Sequence, residues 1–341
     1  MKKLFQMLSL GLIVLSIFTL AACGSTSSTS GGTATPSSAS LNIAFLPKQI
    51  NNPYFTTAAA GGQLAATALG GKFQQVGPSD ANAAEQIPFI TSLTEQHASA
   101  IVISGDDPNA VAPALKQAIA QGVKVVSFDS DVETDARQVF VNQADSTQIG
   151  TSEVDLLAQQ INSTGQIAIL SAASTATNQN AWIGFMRQEL TKYPNMSLVK
   201  VAYGNDDDQT SFNQTLSLLN AYPNLKGIIS PTTVGIAAAA RAIESVHKGG
   251  QVALTGLGTP NSLRQYVTDG TIKGFELWNP SDLGYLAYYV ASLLVQGKIT
   301  GATGETFTAG KLGKYTIGAD GVVILGPPTV FTSANIGQFN F

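Results

Sequence analysis

From Leu41 onward the chain repeats one pattern: a short apolar run rich in β-branched residues, a polar turn, and a longer amphipathic stretch. This alternation predicts βαβ units that build parallel sheets. The predicted strands are Leu41–Leu46, Ala100–Ser104, Lys124–Phe128, Gln166–Ser171, Ser197–Tyr203, Gly227–Ser230, Gln251–Gly256 and Gly274–Leu277. The predicted helices begin near Asn51-Asn52-Pro53 and then cover Ala83–His97, Asn109–Gln121, Thr147–Ile161, Asn180–Lys192, Thr210–Ala221, Val234–His247, Ser262–Thr268 and Ser281–Gln296.

These units fall into two sets, one from Asn42 to about Asn142 and one from about Gln143 to Leu277. The predicted fold is therefore α/β with two similar lobes. Ligands of open parallel sheets bind outside the carboxyl ends of the strands. The polar and aromatic residues after the predicted strands are Lys48, Asp129, Asp131, Asn178, Gln179, Pro231 to Thr233, Trp278 and Asn279.

The start of the chain predicts a targeting segment outside the folded part. Two lysines precede the apolar stretch Leu8–Leu20, and residues 20–23 read Leu-Ala-Ala-Cys, which resembles the site cut by the bacterial lipoprotein signal peptidase. We expect a signal peptide over 1–22 and a lipid anchor on Cys23; an ordinary secretory signal with an incidental cysteine is the alternative. Residues 23–40 are rich in Ser, Thr and Gly and predict a tether.

Composition excludes several classes of protein. Of the 341 residues, 44% are hydrophobic and 12% are charged, which argues against a disordered or coiled-coil chain. A net charge of −4 supplies no basic field for nucleic acid. One cysteine and two histidines cannot build a disulfide framework or a zinc finger, and the sequence has no GxSxG, P-loop, HExxH or CxxC motif. No cofactor and no metal are predicted.

Paired carboxylates leave one enzymatic alternative open. Asp129 and Asp131 could act as acid and base in a secreted α/β enzyme, although acids are abundant enough to make this signal weak. A run of three aspartates, 206–208, lies in the predicted loop GNDDDQT. We interpret the run as a solvated turn rather than a calcium site, because the alternating ligands and closing glutamate of a calcium loop are missing.

Six motifs at the strand ends carry a family resemblance. They are FLPKQINNPYF (45–55), SFDSDV (127–132), TNQNAW (177–182), SPTTVGIAAAA (230–240), TGLGTP (255–260) and ELWNPSDLGY (276–285). Together they resemble the type I periplasmic sugar-binding proteins of ABC importers, in the branch with the rhamnose-binding proteins and the autoinducer-2 receptor. The likeness extends from Leu41 to the carboxyl terminus.

The resemblance implies two Rossmann-like lobes joined by a three-crossover hinge. Residues 41–142 plus about 280–311 would form the N-terminal lobe, and 143–279 plus about 312–341 the C-terminal lobe and closing segment. The crossovers would fall near Asn142–Gln143, near Trp278–Asn279 and past Lys311.

The resemblance also implies a set of ligand contacts: Lys48, Phe55, Asp129, Asp131, Asn178, Gln179, Trp182, Pro231, Thr233, Trp278 and Asn279. The chemistry of the set suits a sugar. Carboxylates accept hydrogen bonds from hydroxyls, lysine and amides donate, and aromatic rings cover C–H faces. Many type I sugar binders carry a further aspartate where this chain has Gly258, so Thr259 or a water would have to replace it.

The function that the resemblance implies is that of a lipid-anchored, extracytoplasmic and monomeric substrate-binding protein. It would deliver rhamnose or a related neutral monosaccharide to an ABC permease and its ATPase, and catalyse no reaction. Binding and uptake of autoinducer-2 is the alternative. Lys48, Asp129, Gln179 and Pro231 match that receptor, whereas its aspartate and alanine are replaced by Asn178 and Thr233. Coupling to a chemoreceptor also remains open.

Overall fold

The computed structural model describes residues 41–341. Its strands are β1 Asn42–Leu46, β2 Lys72–Gln75, β3 Ala100–Ile103, β4 Lys124–Phe128, β5 Val139–Asn142, β6 Gly165–Ser171, β7 Met196–Tyr203, β8 Leu225–Ser230, β9 Ala253–Gly256, β10 Phe275–Leu277, β11 Thr306–Thr308, β12 Lys314–Thr316, β13 Val322–Ile324 and β14 Thr329–Phe331. Its α-helices are α1 Pro53–Leu69, α2 Ala83–Glu95, α3 Pro108–Ala120, α4 Ser146–Gln160, α5 Thr177–Glu189, α6 Asp208–Ala221, α7 Thr233–Ser245, α8 Pro260–Thr268 and α9 Pro280–Val295.

The first lobe is built on a six-stranded parallel sheet in the order β13-β5-β4-β3-β1-β2. Helices α1 and α9 cover one face, and α2 and α3 cover the other. The side chains of β1 alternate between the two resulting cores: Ile43 and Phe45 enter one, whereas Ala44 and Leu46 enter the other. Because both faces are buried, the central strands read as continuous apolar runs.

The second lobe is built on a four-stranded parallel sheet in the order β7-β6-β8-β9. Helices α4 and α5 pack together, as do α6 and α7. The short strand β10 lies beside β9 through a parallel bridge between Leu257 and Glu276, and it pairs antiparallel with β14. The predicted α/β fold with parallel sheets in two lobes is confirmed.

The chain passes between the two lobes three times: between β5 and α4, between β10 and α9, and between β13 and β14. One expectation about the last part of the chain is wrong. The resemblance implies that residues from about 312 onward belong to the second lobe, but β13 pairs with β5 and completes the edge of the first sheet. Its apolar run Val322-Val323-Ile324 covers a strand edge that would otherwise be open.

Two glycines allow a close approach between α1 and α9. A Cβ on Gly61 would lie 1.8 Å from the backbone oxygen of Ser281, and a Cβ on Gly284 would lie 1.8 Å from that of Ala58. Any larger residue would force the helices apart. This contact holds the start of α9, and therefore the crossing that precedes it, against the first lobe.

Candidate functional site

The carboxyl ends of strands from both sheets meet around a cavity of about 40 Å³. Nine of the eleven implied contacts line it: Lys48, Phe55, Asp129, Asn178, Gln179, Trp182, Pro231, Thr233 and Trp278. The lining also includes Asn52, Tyr54, Asp206, Thr232, Leu257 and Leu277. The cavity therefore brings together residues that lie up to 230 positions apart in the chain, from Lys48 to Trp278.

Asp129 is the central carboxylate of the first lobe. It follows β4 with a φ of 60°, a left-handed conformation that aspartate tolerates better than most residues, and only 5% of it is exposed. Ser104 donates a hydrogen bond to Oδ2 at 2.8 Å and Tyr54 donates one to Oδ1 at 3.1 Å. Burial raises the pKa of Asp129, while the charge of Lys48 and these two hydrogen bonds offset part of the rise.

Aromatic rings form the apolar part of the cavity. Tyr54 packs edge-on against Phe55 at 5.1 Å and against Trp278 at 6.1 Å between ring centroids. The ring centroids of Trp182 and Trp278 lie 6.0 Å apart, and the two rings are tilted by 57° to each other. The indole nitrogen of Trp182 is buried and takes part in no hydrogen bond with residues 41–341. These surfaces can cover the C–H faces of a small ligand.

Lys48 faces three buried carboxyl groups. It follows β1 and is 4% exposed, and its positive charge lowers the pKa values of Asp106, Asp129 and Asp206 against the larger effect of burial, which raises all three. The pKa of Asp106 rises to about 7. Its Oδ2 is buried and has no hydrogen-bond partner among the described residues. The site therefore holds more acceptors than donors.

The second lobe contributes amides at the start of α5. The Oε1 atom of Gln179 accepts hydrogen bonds from Ser171 Oγ at 2.6 Å and from the Ala172 amide at 2.7 Å. These bonds fix the side chain and leave its Nε2 as a donor for the cavity. The Oδ1 atom of Asn178, in the same first turn of α5, accepts a 2.9 Å hydrogen bond from the Gln179 amide.

Two of the implied contacts lie outside the cavity lining. Asp131 is held by Arg137, whose Nε and Nη2 contact the two carboxylate oxygens at 2.6 and 2.7 Å. This bidentate pair takes up the acceptors that a ligand would need. Asn279 caps α9 by accepting hydrogen bonds from the amides of Ser281 and Asp282. Neither residue lines the cavity, so the structure gives no support to these two predicted contacts.

The position of Asp131 also bears on the enzymatic alternative. An acid–base mechanism would need the carboxyl groups of Asp129 and Asp131 beside the same substrate. Asp129 lines the cavity, whereas Asp131 is paired with Arg137 outside it. The acid–base pair is not assembled.

The interpretation of the aspartate run at 206–208 is wrong for its first member. Asp206 is 9% exposed, lines the cavity and accepts a hydrogen bond from Thr232, whereas Asp207 and Asp208 are exposed. Asp207 caps α6, and Asp208 pairs with Arg241 at 2.7 Å. Asp206 follows β7 as Asp129 follows β4, so the position at a strand end was the signal that could have found it. Tyr54, in the motif that follows β1, was missed likewise.

A larger polar cleft of about 910 Å³ adjoins the cavity, and Asn52, Asp206 and Thr233 line both. Three side chains donate hydrogen bonds across this cleft to backbone oxygens of the opposite lobe: Gln49 to Asp206 at 3.2 Å, Thr175 to Asp106 at 3.0 Å and Thr177 to Asp131 at 3.1 Å. The two lobes are thus in direct contact around the cavity.

A sequence model of the periplasmic binding protein domain matches residues 43–299. The chain belongs to this family. As a periplasmic binding protein of the type I sugar-binding class, it binds a solute for an ABC transporter and is not an enzyme. This membership places it outside the cytoplasm. Among residues 41–341, no helix is long and apolar enough to cross a membrane.

Solved structures resemble this periplasmic binding protein over 88% of its length. A sugar ABC transporter protein from Actinomyces odontolyticus is 46% identical, with a TM-score of 0.71 and 97% of that chain covered. A solute-binding protein from Clostridium phytofermentas with bound L-rhamnose is 40% identical, with a TM-score of 0.85 and 98% covered. LsrB from Clostridium saccharobutylicum, in complex with AI-2, is 26% identical, with a TM-score of 0.84 and 99% covered.

Proposed function

We propose that this protein captures a small neutral monosaccharide, rhamnose or a close relative, between its two lobes and delivers it to an ABC permease. The observation that carries the proposal is the composition of the cavity wall. The carboxylate of Asp129, the ammonium group of Lys48 and the amide of Gln179 surround a space bounded by aromatic rings. A relative that is 40% identical holds L-rhamnose.

The polar groups of this wall match those of a sugar. A carboxylate accepts hydrogen bonds from hydroxyl groups, and such charge-assisted bonds are the stronger kind. Lys48 can donate to a ring or hydroxyl oxygen, and the Nε2 of Gln179 can donate to another. The rings of Phe55, Trp182 and Trp278 would cover the apolar faces of the sugar and exclude water.

Closure of the lobes is the proposed mechanism of capture. The cavity of about 40 Å³ is far smaller than the roughly 300–1,000 Å³ of typical ligand pockets, so the lobes must separate to admit a sugar. Asp129 lies on the first lobe and Gln179 on the second. A ligand that bonds to both stabilises the closed form, and a permease can then distinguish loaded from empty protein.

Autoinducer-2 is the second candidate ligand. It is favoured by Lys48, Asp129, Gln179 and Pro231, which match the receptor pattern and all line the cavity, and by the fold shared with the AI-2 complex of LsrB. Asn178 and Thr233 replace the aspartate and the alanine of that pattern, and these two departures favour the sugar.

Attachment to the membrane through a lipid on Cys23 is part of the proposal. Cys23, the signal peptide 1–22 and the tether 23–40 lie outside the described residues. The test is mass spectrometry of the amino-terminal peptide from native cells, in which the wild type should carry a diacylglycerol adduct on Cys23. A free or disulfide-bonded Cys23 would contradict it.

A monomeric state is likewise proposed, and light scattering tests it.

Thermal unfolding of the chain from Ala39 onward tests the ligand class. The protein is first unfolded and refolded to remove carried-over ligand, and is then heated with each of a panel of monosaccharides and with autoinducer-2, with and without borate. A ligand at 100 times its dissociation constant adds about 2.7 kcal/mol of stability and raises the Tm. A shift with rhamnose or another monosaccharide supports the proposal, a shift with autoinducer-2 alone supports the second candidate, and no shift contradicts both.

A further inference from the structure

Asp206 places a second carboxylate in the cavity, on the lobe opposite to Asp129. It lies in the loop between β7 and α6, and with Asn205 it forms a pair of residues with left-handed φ values of 51° and 56°. Its side chain is buried and lines both the inner cavity and the outer cleft. The chain thus turns sharply at the point where it brings this carboxylate inward.

Contacts from both lobes hold Asp206 in place. Thr232, which directly precedes α7, donates its hydroxyl hydrogen to Oδ1. Gln49, from the first lobe, donates to the backbone oxygen at 3.2 Å. Among residues 41–341, the bond from Thr232 to Oδ1 is the one side-chain hydrogen bond to this carboxylate, so Oδ2 is an acceptor available to a ligand. An ordered carboxylate with one oxygen committed and one available is suited to orient a donor.

The charged side chains around Asp206 indicate which kind of ligand group can donate a hydrogen bond to it. Lys48 is the cationic side chain in the lining of the inner cavity, where Asp129 and Asp206 are the carboxylates. A carboxylate accepts hydrogen bonds and does not donate while ionised, so a ligand must present a hydrogen-bond donor to each lobe, and the hydroxyls of a neutral sugar supply such donors. An anionic ligand would meet repulsion from both.

We infer that Asp206 is a ligand-binding residue of the second lobe, which accepts a hydrogen bond from a sugar hydroxyl while Asp129 accepts one from another hydroxyl of the same molecule. This inference rests on the proposed function and deepens it. A ligand with hydroxyls at both ends spans the two carboxylates only when the lobes are closed. Asp206 therefore selects for a polyhydroxylated ligand and links its recognition to closure.

The experiment measures binding of L-rhamnose and its monodeoxy analogues by calorimetry to the wild type, Asp206→Asn and Asp208→Asn. Both variants remove one negative charge, but Asp208 is exposed and paired with Arg241. We expect Asp206→Asn to weaken rhamnose binding about tenfold or more, because a charge-assisted bond is lost, and Asp208→Asn to change it less than about twofold. For one deoxy analogue, which lacks the hydroxyl that faces Asp206, the wild type and Asp206→Asn should bind alike.

The alternative outcomes are distinguishable. If the wild type binds rhamnose and Asp206→Asn binds it equally well, the inference is overturned and the proposed function stands. If Asp206→Asn loses the same factor for rhamnose and for every deoxy analogue, its role is structural and the inference is again overturned. If the wild type binds no neutral monosaccharide, the proposed function fails and the inference fails with it. Thermal unfolding of the ligand-free variants checks that each one folds.

Discussion

The indole N–H of Trp278 donates a 2.8 Å hydrogen bond to the hydroxyl of Tyr54, across 224 positions of sequence. The same hydroxyl donates to Asp129 at 3.1 Å. Burial and the charge of Asp129 raise the pKa of Tyr54, so the hydroxyl keeps its proton and remains a donor. A tryptophan from the second crossing and a carboxylate from β4 are thereby fixed relative to each other through one phenol.

Removal of the Tyr54 hydroxyl should weaken sugar binding without unfolding the protein. We expect Tyr54→Phe to lower affinity by about three- to thirtyfold, since Trp278 and Asp129 each lose a partner, and to lower the free energy of unfolding by about 1–2 kcal/mol. Calorimetric titration and urea unfolding measure the two effects. Tyr203→Phe, at an exposed tyrosine, is the control and should change neither. Unchanged affinity in Tyr54→Phe would show that the phenol does not organise the site.

Loss of the Asp129 carboxylate should abolish the thermal shift produced by the ligand. Asp129→Ala removes the carboxylate that accepts a ligand hydroxyl hydrogen and one of the carboxyl groups that interact with the charge of Lys48. The measurement is the Tm with and without saturating sugar. Asp135→Asn, whose carboxylate is 71% exposed, serves as a control that should retain the full shift. A shift of wild-type size in Asp129→Ala would remove Asp129 from the site.

Intrinsic fluorescence should report binding directly. The chain has two tryptophans, Trp182 and Trp278, and both line the cavity. A bound sugar in the cavity would contact both indoles and change their surroundings, so we expect the emission to change in intensity or wavelength during a titration. Trp182→Phe and Trp278→Phe should each keep part of the signal. Binding that is visible by calorimetry but silent in fluorescence would place the ligand away from these rings.

A close helix contact makes a specific prediction about stability. Gly61→Ala should destabilise the protein by about 1–3 kcal/mol, because the new methyl group would overlap the backbone oxygen of Ser281. Gly184→Ala, in α5, is the matched control, since its Cβ would meet no atom within 4 Å. Alanine there should stabilise by a few tenths of a kcal/mol up to about 1 kcal/mol. If urea unfolding showed the same change in the free energy of unfolding for Gly61→Ala and Gly184→Ala, the close contact between α1 and α9 would not contribute to stability as proposed.

Stability should fall as pH rises from about 4.5 to about 7 because of Glu276. Burial raises the pKa of this residue to about 7, so the folded protein still holds a proton that the unfolded chain has released. More protons are bound in the folded state over this interval, and the free energy of unfolding therefore declines with pH. Glu276→Gln should be more stable than the wild type at pH 8, by up to about 3 kcal/mol, and about as stable at pH 4.5.

Urea unfolding at the two pH values measures this difference. Glu95→Gln, at an exposed position of α2, is the control and should show the same small effect at both. A gain in Glu276→Gln that does not depend on pH would mean that the titration of another group governs the decline.

The sequence predicted the overall α/β architecture better than it predicted the strands at the edges of the first sheet. Strand β4 was predicted at its observed bounds because an apolar run buried on both faces is a strong signal. Strand β2 was missed because its residues, Lys-Phe-Gln-Gln, are polar and lie at a sheet edge. The pairing of β13 with β5 joins segments about 180 residues apart, and no local pattern contains such information.

The same distinction holds at the candidate site. Seven of the nine implied residues that line the cavity were also indicated by their position at a strand end, whereas Phe55 and Trp182 came from the resemblance alone. Position at a strand end cannot say which partner a side chain meets. Asp131 meets Arg137, and this ion pair depends on a turn of the chain after β4 that the pattern does not describe. The prediction for Asp206 was wrong in the opposite direction, since a residue that lines the cavity was interpreted as solvated. Its two acidic neighbours made the whole run resemble a solvated loop.

The contact between Gly61 and the start of α9 has a consequence for the order of events during capture. Ser281 packs against Gly61 of α1, and Trp278 is hydrogen-bonded to Tyr54, which lies in the first turn of α1. Trp278 should therefore travel with the first lobe when the protein opens, leaving Trp182 to move away. The first lobe then carries the larger share of the aromatic surface, and we expect an arriving sugar to dock there before the second lobe swings over it.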